Sequence, residues 1–533
     1  MKYPKLLLLV FIAGLVFGCR NGKNKQPVIK DSTITKATSF NEVFFDSVQL
    51  ASFLNQNKQL NLFAEQYGDF YKSRNYQFAW FDSLGITQQT RDFINLLQTT
   101  VDDLQDSSLL NKSFLNIKDK VLKNEGYYTK QESINMELEL TGQFFLFASK
   151  VYKGSDLDAA SLGWFIPRKK VNLKELLLTT LKIDSANAAQ YEPLNPQYKK
   201  LQSTLGLYRL LAKQHQWNLL SPPIKSLKKG DSATLISSIK KRLQLLGDAA
   251  TIDTSSSYDS NLLIAVKLFQ QRIGLEPDGV IGKKMIDELN ISPTKRIEQI
   301  LLNLERIRWM PRQNESNYIL VNIPEFKMHV FDNGKQQLEM NVIVGTAANN
   351  TVIFTGNLQY IVFSPYWNVP ESIVSKEIVP SMKRNANYIA NKHMEITGYS
   401  NGLPMVRQKP GAGNSLGLVK FLFPNSHSIY LHDTPNKNLF SESSRSFSHG
   451  CIRLAEAKKF AQYLLRADTA TIWKSNIIDS SMHLSKERWV TLPKKIPVLI
   501  AYFTAWVDAN GKLNFRKDIY KHDEKLAAKL FTR

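Results

Sequence analysis

The chain has 533 residues, with 69 Lys and Arg against 47 Asp and Glu, a formal charge of +22, and two cysteines. At roughly 100–200 residues per domain it is a multidomain protein. A content of 43% hydrophobic and 11% aromatic residues excludes wholesale disorder, a collagen-like chain and a disulfide scaffold. No apolar run beyond the N-terminus approaches the roughly 18–20 residues of a membrane-spanning helix, and the basic charge fits an anionic partner without choosing among nucleic acid, lipid and an acidic polymer.

Met1 to Gly18 reads as a signal peptide, with Lys2 and Lys5 before an apolar stretch from Leu6 to Phe17 and small Gly18 before Cys19. Val16-Phe17-Gly18-Cys19 resembles a bacterial lipobox, although Phe17 is bulkier than the usual residue there. That resemblance implies cleavage before Cys19 and its acylation, giving a membrane partner through a lipid anchor. Several acyl chains hold stably, because each buried CH₂ contributes about 0.8 kcal/mol. Cys451 is then the one thiol left in the exported chain, and an unpaired thiol in an oxidising compartment is expected to be buried or reactive. Nucleic acid is not an expected partner of an exported chain. Residues 19–40 are polar and read as a flexible tether.

Residues 41–220 show helical periodicity, as in Phe93-Ile94-Leu96-Leu97, without catalytic spacing, and read as a helical scaffold. Pro222-Pro223 marks the next boundary. Residues 226–291 contain two helical stretches, a turn-rich connection from Gly274 to Gly282 and the start of a third helix. The phrase F-Q-x-x-x-G-L-x-x-D-G-x-x-G, from Phe269 to Gly282, resembles the small three-helix peptidoglycan-binding domain, though its glycines also read as plain helix terminators.

After an amphipathic stretch from Thr294 to Trp309, residues 316–505 change to period two. Tyr318–Ile323 and Lys327–Phe331 read as strands, Asp332-Asn333-Gly334 as a hairpin turn, and Leu338–Val344 as the returning strand. The spacing argues for an all-β sandwich or barrel. A helical and then loop-like insertion over about 370–413 is placed to cap a site, and residues 506–533 read as a C-terminal extension.

The informative stretch begins at Ser428. Ser428–Asp433 alternates and reads as a strand with Tyr430 and His432 on one face. Ser446-Phe447-Ser448-His449-Gly450-Cys451-Ile452-Arg453 follows a loop and precedes an amphipathic helix. Cys451 is therefore expected just before a helix N-terminus, where the dipole and Arg453 would lower its pKa and the Gly450 and Cys451 N–H groups would form an oxyanion hole. His432 is the candidate base of a Cys/His acyl-transfer pair. The spacing of His432, His449 and Cys451 matches no common structural zinc pattern, and neither metal nor cofactor is expected.

S-H-G-C-I-R, preceded by Y-L-H-D-T-P, resembles the signature of the L,D-transpeptidase (YkuD-type) catalytic domain. N-L-E-R-I-R-W at Asn303, S-P-Y-W-N-V-P at Ser364 and N-S-L-G-L-V-K-F at Asn414 are similar to the large YcbB-type members. The resemblance implies a multidomain α+β chain: a helical N-terminal scaffold, a three-helix peptidoglycan-binding domain and a mainly-β catalytic domain with a capping insertion. It implies Cys451 as nucleophile and His432 as general acid/base, oriented by a backbone carbonyl rather than by Asp433. His449, Gly450, Arg453 and Ser448 would shape the oxyanion site, and Tyr430, Tyr366 and Trp367 would bind substrate. The implied partners are peptidoglycan stem peptides and glycan strands, and the implied reaction is 3-3 cross-linking with release of D-Ala. The same residues serve an L,D-carboxypeptidase or a D-amino-acid exchanger, and a non-catalytic wall-binding lipoprotein is a further alternative. The implied location is the cell envelope, anchored in the outer membrane and facing the periplasm.

Overall fold

The computed structural model describes residues 43–82, 85–123, 129–182, 194–251, 253–310, 316–468 and 472–531. The segments read from sequence as a signal peptide and a tether, with Cys19 as the expected lipidation site, lie outside the described residues. The chain divides into two compact units, residues 1–91 with 116–142, and residues 92–115 with 143–533.

In the first unit, Asp46 closes a capping box on the helix Ser47–Gln56, and a second helix spans Ala64–Ser73. β1 (Phe81–Asp82) and β2 (Gly85–Ile86) form a short antiparallel pair. Fully buried Glu137 accepts the Ala79 and Trp80 N–H groups at 2.6 and 2.9 Å and the Tyr71 hydroxyl at 2.8 Å. Burial pushes its carboxyl up to about 7. These bonds satisfy a buried polar group and tie the turn to a helix, which is a structural duty.

The second unit contains the three-helix bundle, Thr234–Leu245, Ser260–Arg272 and Lys283–Leu289, packed on Ile239, Leu243, Val266, Phe269, Ile286 and Leu289. Its characteristic phrase holds the bundle together from within. The Gln270 side chain donates to Asp278 at 2.7 Å and accepts the Gly279 N–H at 2.9 Å. Ser292 then caps the helix Pro293–Trp309, with Pro293 in its first turn.

The β body follows as β3 (Tyr318–Asn322), β4 (Lys327–Asp332), β5 (Lys335–Gly345) and β6 (Phe354–Phe363). The β4–β5 turn places Asn333 at φ +50° and Gly334 at φ +73°, the left-handed pair that a two-residue hairpin requires. β7 (Trp367–Asn368), β8 (Met394–Ser400) and β9 (Leu403–Gln408) belong to the insertion, and β10 (Val419–Leu422), β11 (Leu431–His432), β12 (Ser446–Ser448), β13 (Ile452–Leu454) and β14 (Arg488–Ala501) complete the body. The described strands order as β12-β5-β13-β11-β10-β6-β14-β3-β4, and β4 also pairs with β5, so the sheet closes on itself. Phe460, Ala461 and Leu464 of the helix Ala457–Leu464 pack into its core with Phe421, Leu431 and Ile452. Each such large side chain contributes about 1.5–3 kcal/mol.

Three expectations change. The part of the insertion read as a loop is paired: β7, β9 and β8 form an antiparallel sheet over a small core of Val369, Val374, Ile378, Met394 and Val406. Residues such as Ile396 and Tyr399 are exposed there, which erased the alternation. Within Ser428–Asp433, only Leu431–His432 is strand. Asn425 accepts the His427 and Ile429 N–H groups and donates to the Ile429 carbonyl, so it holds that stretch in a turn, with Ser428 at φ +54°. The helix after Cys451 begins only at Ala457, with β13 in between.

The C-terminal segment is part of this body. β15 (Ala505–Val507) and β16 (Leu513–Phe515) form a hairpin, and Tyr520 and Leu526, the latter on the helix His522–Leu530, lie in the same core as Tyr502.

Candidate active site

A parallel pairing builds the site. β11 runs beside β13 with Leu431 opposite Ile452 and His432 opposite Arg453, and the Ile452 N–H donates to the Tyr430 carbonyl at 3.1 Å. This register sets Tyr430 and His432 alongside Cys451 and Arg453, though sixteen or more residues separate the two segments in the chain. The Tyr430 and His432 rings lie 5.7 Å apart on one face, as the period-two reading required.

His432 is buried, and its Nδ1 meets the Asp433 carbonyl oxygen at 2.5 Å. With Nδ1 as the donor, the neutral ring keeps Nε2 as the basic nitrogen. Burial first and the Arg453 charge second push His432 down to about 3, although the Asp433 and Leu416 backbone carbonyls favour the protonated ring. The Asp433 carboxylate makes no hydrogen bond to the ring, though its charge also favours the protonated form. It accepts the Leu418 N–H at 2.9 Å and pairs with Lys437 at 2.5 Å.

The thiol of half-buried Cys451 departs from expectation. Burial pushes it above the ordinary thiol range, outweighing Tyr430 and the Arg453 charge, which lower it. The lowering expected of a helix N-terminus is missing because strand β13 follows Cys451, and a helix dipole fades within its first turn. The two candidates are therefore a neutral thiol and a neutral imidazole, and the thiol itself donates to the Ser428 carbonyl at 3.7 Å. Tyr430, close to Cys451, is itself pushed above its ordinary range by burial.

The Ser448 hydroxyl donates to the Cys451 carbonyl at 2.5 Å and accepts the Gly450 N–H at 3.1 Å. This overturns the two-donor oxyanion hole: Gly450 spends its N–H inside the turn, and the Cys451 N–H is the one without an acceptor among the described residues. Gly450 sits at φ +115°, a conformation that strains any residue with a Cβ. Arg453 is mostly desolvated, and its buried Nε has no partner.

Residues distant in sequence hold the loop from behind. The Thr351 hydroxyl donates to the Gly450 carbonyl at 2.8 Å and accepts the Gly345 N–H at 2.9 Å. The Tyr520 hydroxyl donates to the Gly345 carbonyl at 2.6 Å. His449, half-exposed, reaches Glu377 of the insertion at 2.7 Å. Thr351, Tyr520 and Glu377 carry no motif that would have singled them out.

Tyr366 and Trp367 do not join this cluster. Tyr366 stacks under Arg407 at 4.4 Å, and Trp367 pairs with Gln408 and packs on the insertion's core. They root the insertion, and no described contact joins them to Cys451 or His432. Among the described residues, no group of three or more His, Cys, Asp or Glu could hold a metal ion.

Family models match three segments of the chain: an L,D-transpeptidase catalytic domain over residues 316–472, a scaffold domain over 65–205 and a "putative peptidoglycan binding domain" over 232–289. A protein of Haemophilus influenzae named "Putative L,D-transpeptidase" is 31% identical over 244 residues, covering 43% of this chain and 49% of that protein. The chain thus spans about half the length of that curated relative. Among solved structures, an L,D-transpeptidase of Stackebrandtia nassauensis is similar at 14% identity and a TM-score of 0.23, covering 53% of this chain and 97% of that one. One from Xylanimonas cellulosilytica is similar at 14% identity and a TM-score of 0.18, covering 53% and 100%.

Proposed function

We propose that this chain, which carries an L,D-transpeptidase catalytic domain and a peptidoglycan-binding domain, forms 3-3 cross-links between peptidoglycan stem peptides through a thioester on Cys451. The observation that carries this reading is the β11–β13 register, with His432 held through Nδ1 beside the strand that follows Cys451.

In the first step, His432 Nε2 takes the Cys451 thiol proton as Sγ attacks the carbonyl of the third residue, a diamino acid, of a donor tetrapeptide. With His432 lowered to about 3 and the thiol raised, proton transfer before attack runs uphill, so the proton moves together with C–S bond formation. The Cys451 N–H faces the oxyanion, and the Arg453 charge favours the developing anion. His432 then gives its proton to the leaving D-Ala nitrogen, and the thioester remains. The side-chain amine of an acceptor stem attacks that thioester, its proton passes to His432, and the Cys451 thiolate leaves and is reprotonated. The insertion, joined to the loop through Glu377 and His449, favours amine over water by restricting solvent.

Cys19 is the proposed lipidation site, with the enzyme held on the outer membrane facing the periplasm. Metabolic labelling with a fatty acid, lost in Cys19→Ala, tests this.

The activity is tested by incubating the purified chain without residues 1–18 with disaccharide-tetrapeptide and following products by mass spectrometry, beside Cys451→Ala. A dimer lacking one D-Ala, absent with the variant, is expected. Tripeptide monomer without dimer would replace the reading with a carboxypeptidase, and no turnover by either protein would leave a wall-binding lipoprotein.

A further inference from the structure

Away from Cys451, a cavity of about 1230 Å³ opens between the turn after the second bundle helix, at Gly274–Pro277, and the β3–β4–β5 side of the catalytic sheet. The β15–β16 hairpin closes one end with Trp506 and Asn514. A void of this size exceeds what a single ion needs and suits an extended ligand.

Two guanidinium groups face into it. Arg516 lies over the Trp506 ring at 4.9 Å and donates through Nη1 to the Arg272 and Phe515 carbonyls at 2.9 and 2.8 Å. Arg445 lies over Phe326 at 5.4 Å and donates to the Glu442 and Phe326 carbonyls and to Asn341, while its buried Nε has no partner. Neither forms an ion pair among the described residues. The nearby carboxylates make their close contacts with other cations, Glu325 with His329 at 3.1 Å, Glu288 with Arg296 at 2.7 Å and Glu339 with Lys327, while Glu276 also lines the cavity. Burial and mutual repulsion hold Arg445 down to about 10, and burial also lowers Arg516. Glu325 acts on both cations from a distance, with Glu276 on Arg445 and Glu288 and Glu339 on Arg516, but neither guanidinium has a carboxylate in direct contact, and an anion seated between them supplies one.

The bundle is shaped around this pair. Gly274 has φ +76°, and a Cβ there would come within 2.6 Å of the Arg516 side chain, so the glycine of the G-L-x-x-D-G phrase leaves room for the guanidinium arm.

We propose that this cavity binds a carboxylate-bearing peptide stem of peptidoglycan through Arg445 and Arg516, as a second substrate site separate from Cys451. The cationic pair and the stacking rings call for an anion on an extended chain with amide groups, and Asn341 and Asn514 answer those amides. A glycan without its peptide keeps only the lactyl carboxylate and lacks the chain of amides. The ligand's identity rests on the proposed function, but the anion site does not. The site also reaches the nucleophile loop: the Arg445 carbonyl accepts the Val344 N–H at 2.9 Å, and Ser446, next in the chain, opens β12, which ends at Ser448.

The test is calorimetric titration of the full chain as Cys451→Ala with disaccharide-tetrapeptide, which binds without reacting. Two equivalents are expected. Arg445→Gln with Arg516→Gln should abolish one of them and leave the other, and Arg445→Lys with Arg516→Lys should keep it with about tenfold weaker affinity. A single equivalent indifferent to both pairs of substitutions overturns the proposal. So does equal binding of the disaccharide lacking its peptide, and so does full displacement by inorganic phosphate at equal concentration, which would assign the site to a phosphate polymer or headgroup. Should the Gln variant not fold, the Lys variant and the two competitors still decide. Two equivalents without turnover by the unsubstituted chain would sink the proposed function alone, and turnover with one equivalent would sink the second site alone.

Discussion

His449 Nε2 lies 2.7 Å from Glu377 Oε1, which joins the residue two before Cys451 to the π-helical turn Val374–Ile378 of the insertion. Both side chains are about half-exposed, at 48% and 52%. A contact this wet adds little stability but sets where the insertion sits over the loop. Glu377→Gln is expected to raise KM about three- to tenfold, change kcat less and leave the thermal midpoint in place. Equal losses in kcat and kcat/KM would show instead that the contact acts only in the transition state.

Ser448 closes the Cys451 turn with one hydroxyl serving both Gly450 and Cys451. Ser448→Ala leaves the buried Gly450 N–H without its acceptor, at a cost of about 1–3 kcal/mol. A fall in kcat of about ten- to a hundredfold is expected, since the loop loses its geometry without losing either reacting group. Ser448→Thr, which restores a hydroxyl, should recover part of that rate.

The neutral thiol and imidazole make a distinct titration signature. In Cys19→Ser protein, the rate of alkylation of Cys451 by iodoacetamide should climb with pH through 9 without a plateau, because burial holds the thiol above its ordinary range and His432 stays uncharged above about 3. A rate that is flat between pH 5 and 8 would mean a preformed thiolate–imidazolium pair and would refute the concerted step.

Acid should weaken the fold through two buried histidines. His432 is lowered to about 3 and His522 to about 4, both by burial first and then by a neighbouring arginine, from an ordinary 6.5. Between those values the unfolded chain binds protons that the folded chain excludes. Stability is therefore fully present above about pH 6.5 and is lost as pH falls toward the folded values. His522 alone accounts for about 3 kcal/mol by pH 4. The thermal midpoint should drop between pH 6.5 and 4, and His522→Gln should flatten that drop; an unchanged pH slope in the variant would refute the assignment.

Tyr520 connects the C-terminal segment to the site. Its hydroxyl donates to the Gly345 carbonyl and accepts the Thr351 N–H at 3.3 Å, and Thr351 in turn holds Gly450. Tyr520→Phe is expected to cost about 1–2 kcal/mol in stability and to lower kcat several-fold at unchanged KM. An unaltered kcat would show that the loop holds its shape without this support.

Much of this site was legible along the chain. Ser448-His449-Gly450-Cys451-Ile452-Arg453 and Tyr430-Leu431-His432 are local words, and the backbone carbonyl that holds His432 belongs to the very next residue. The Asn333-Gly334 hairpin was equally plain, because its positive φ values are a property of those two residues. Local signals misled where the outcome depended on what lay alongside. Residues 394–408 pair into strands whose exposed faces hide their alternation, and the stretch after Cys451 joins a sheet because β5 and β11 offer it edges on both sides.

By itself, then, the sequence determined the residue types at the site and the order of the domains, since motif spacing, hydrophobic period and turn chemistry act over a few residues. The tertiary structure decided the direction in which burial shifts Cys451 and His432, which N–H of the turn stays free, and the support from Thr351, Glu377 and Tyr520. Those depend on desolvation and on contacts between segments tens to hundreds of residues apart, which only a closed sheet brings together.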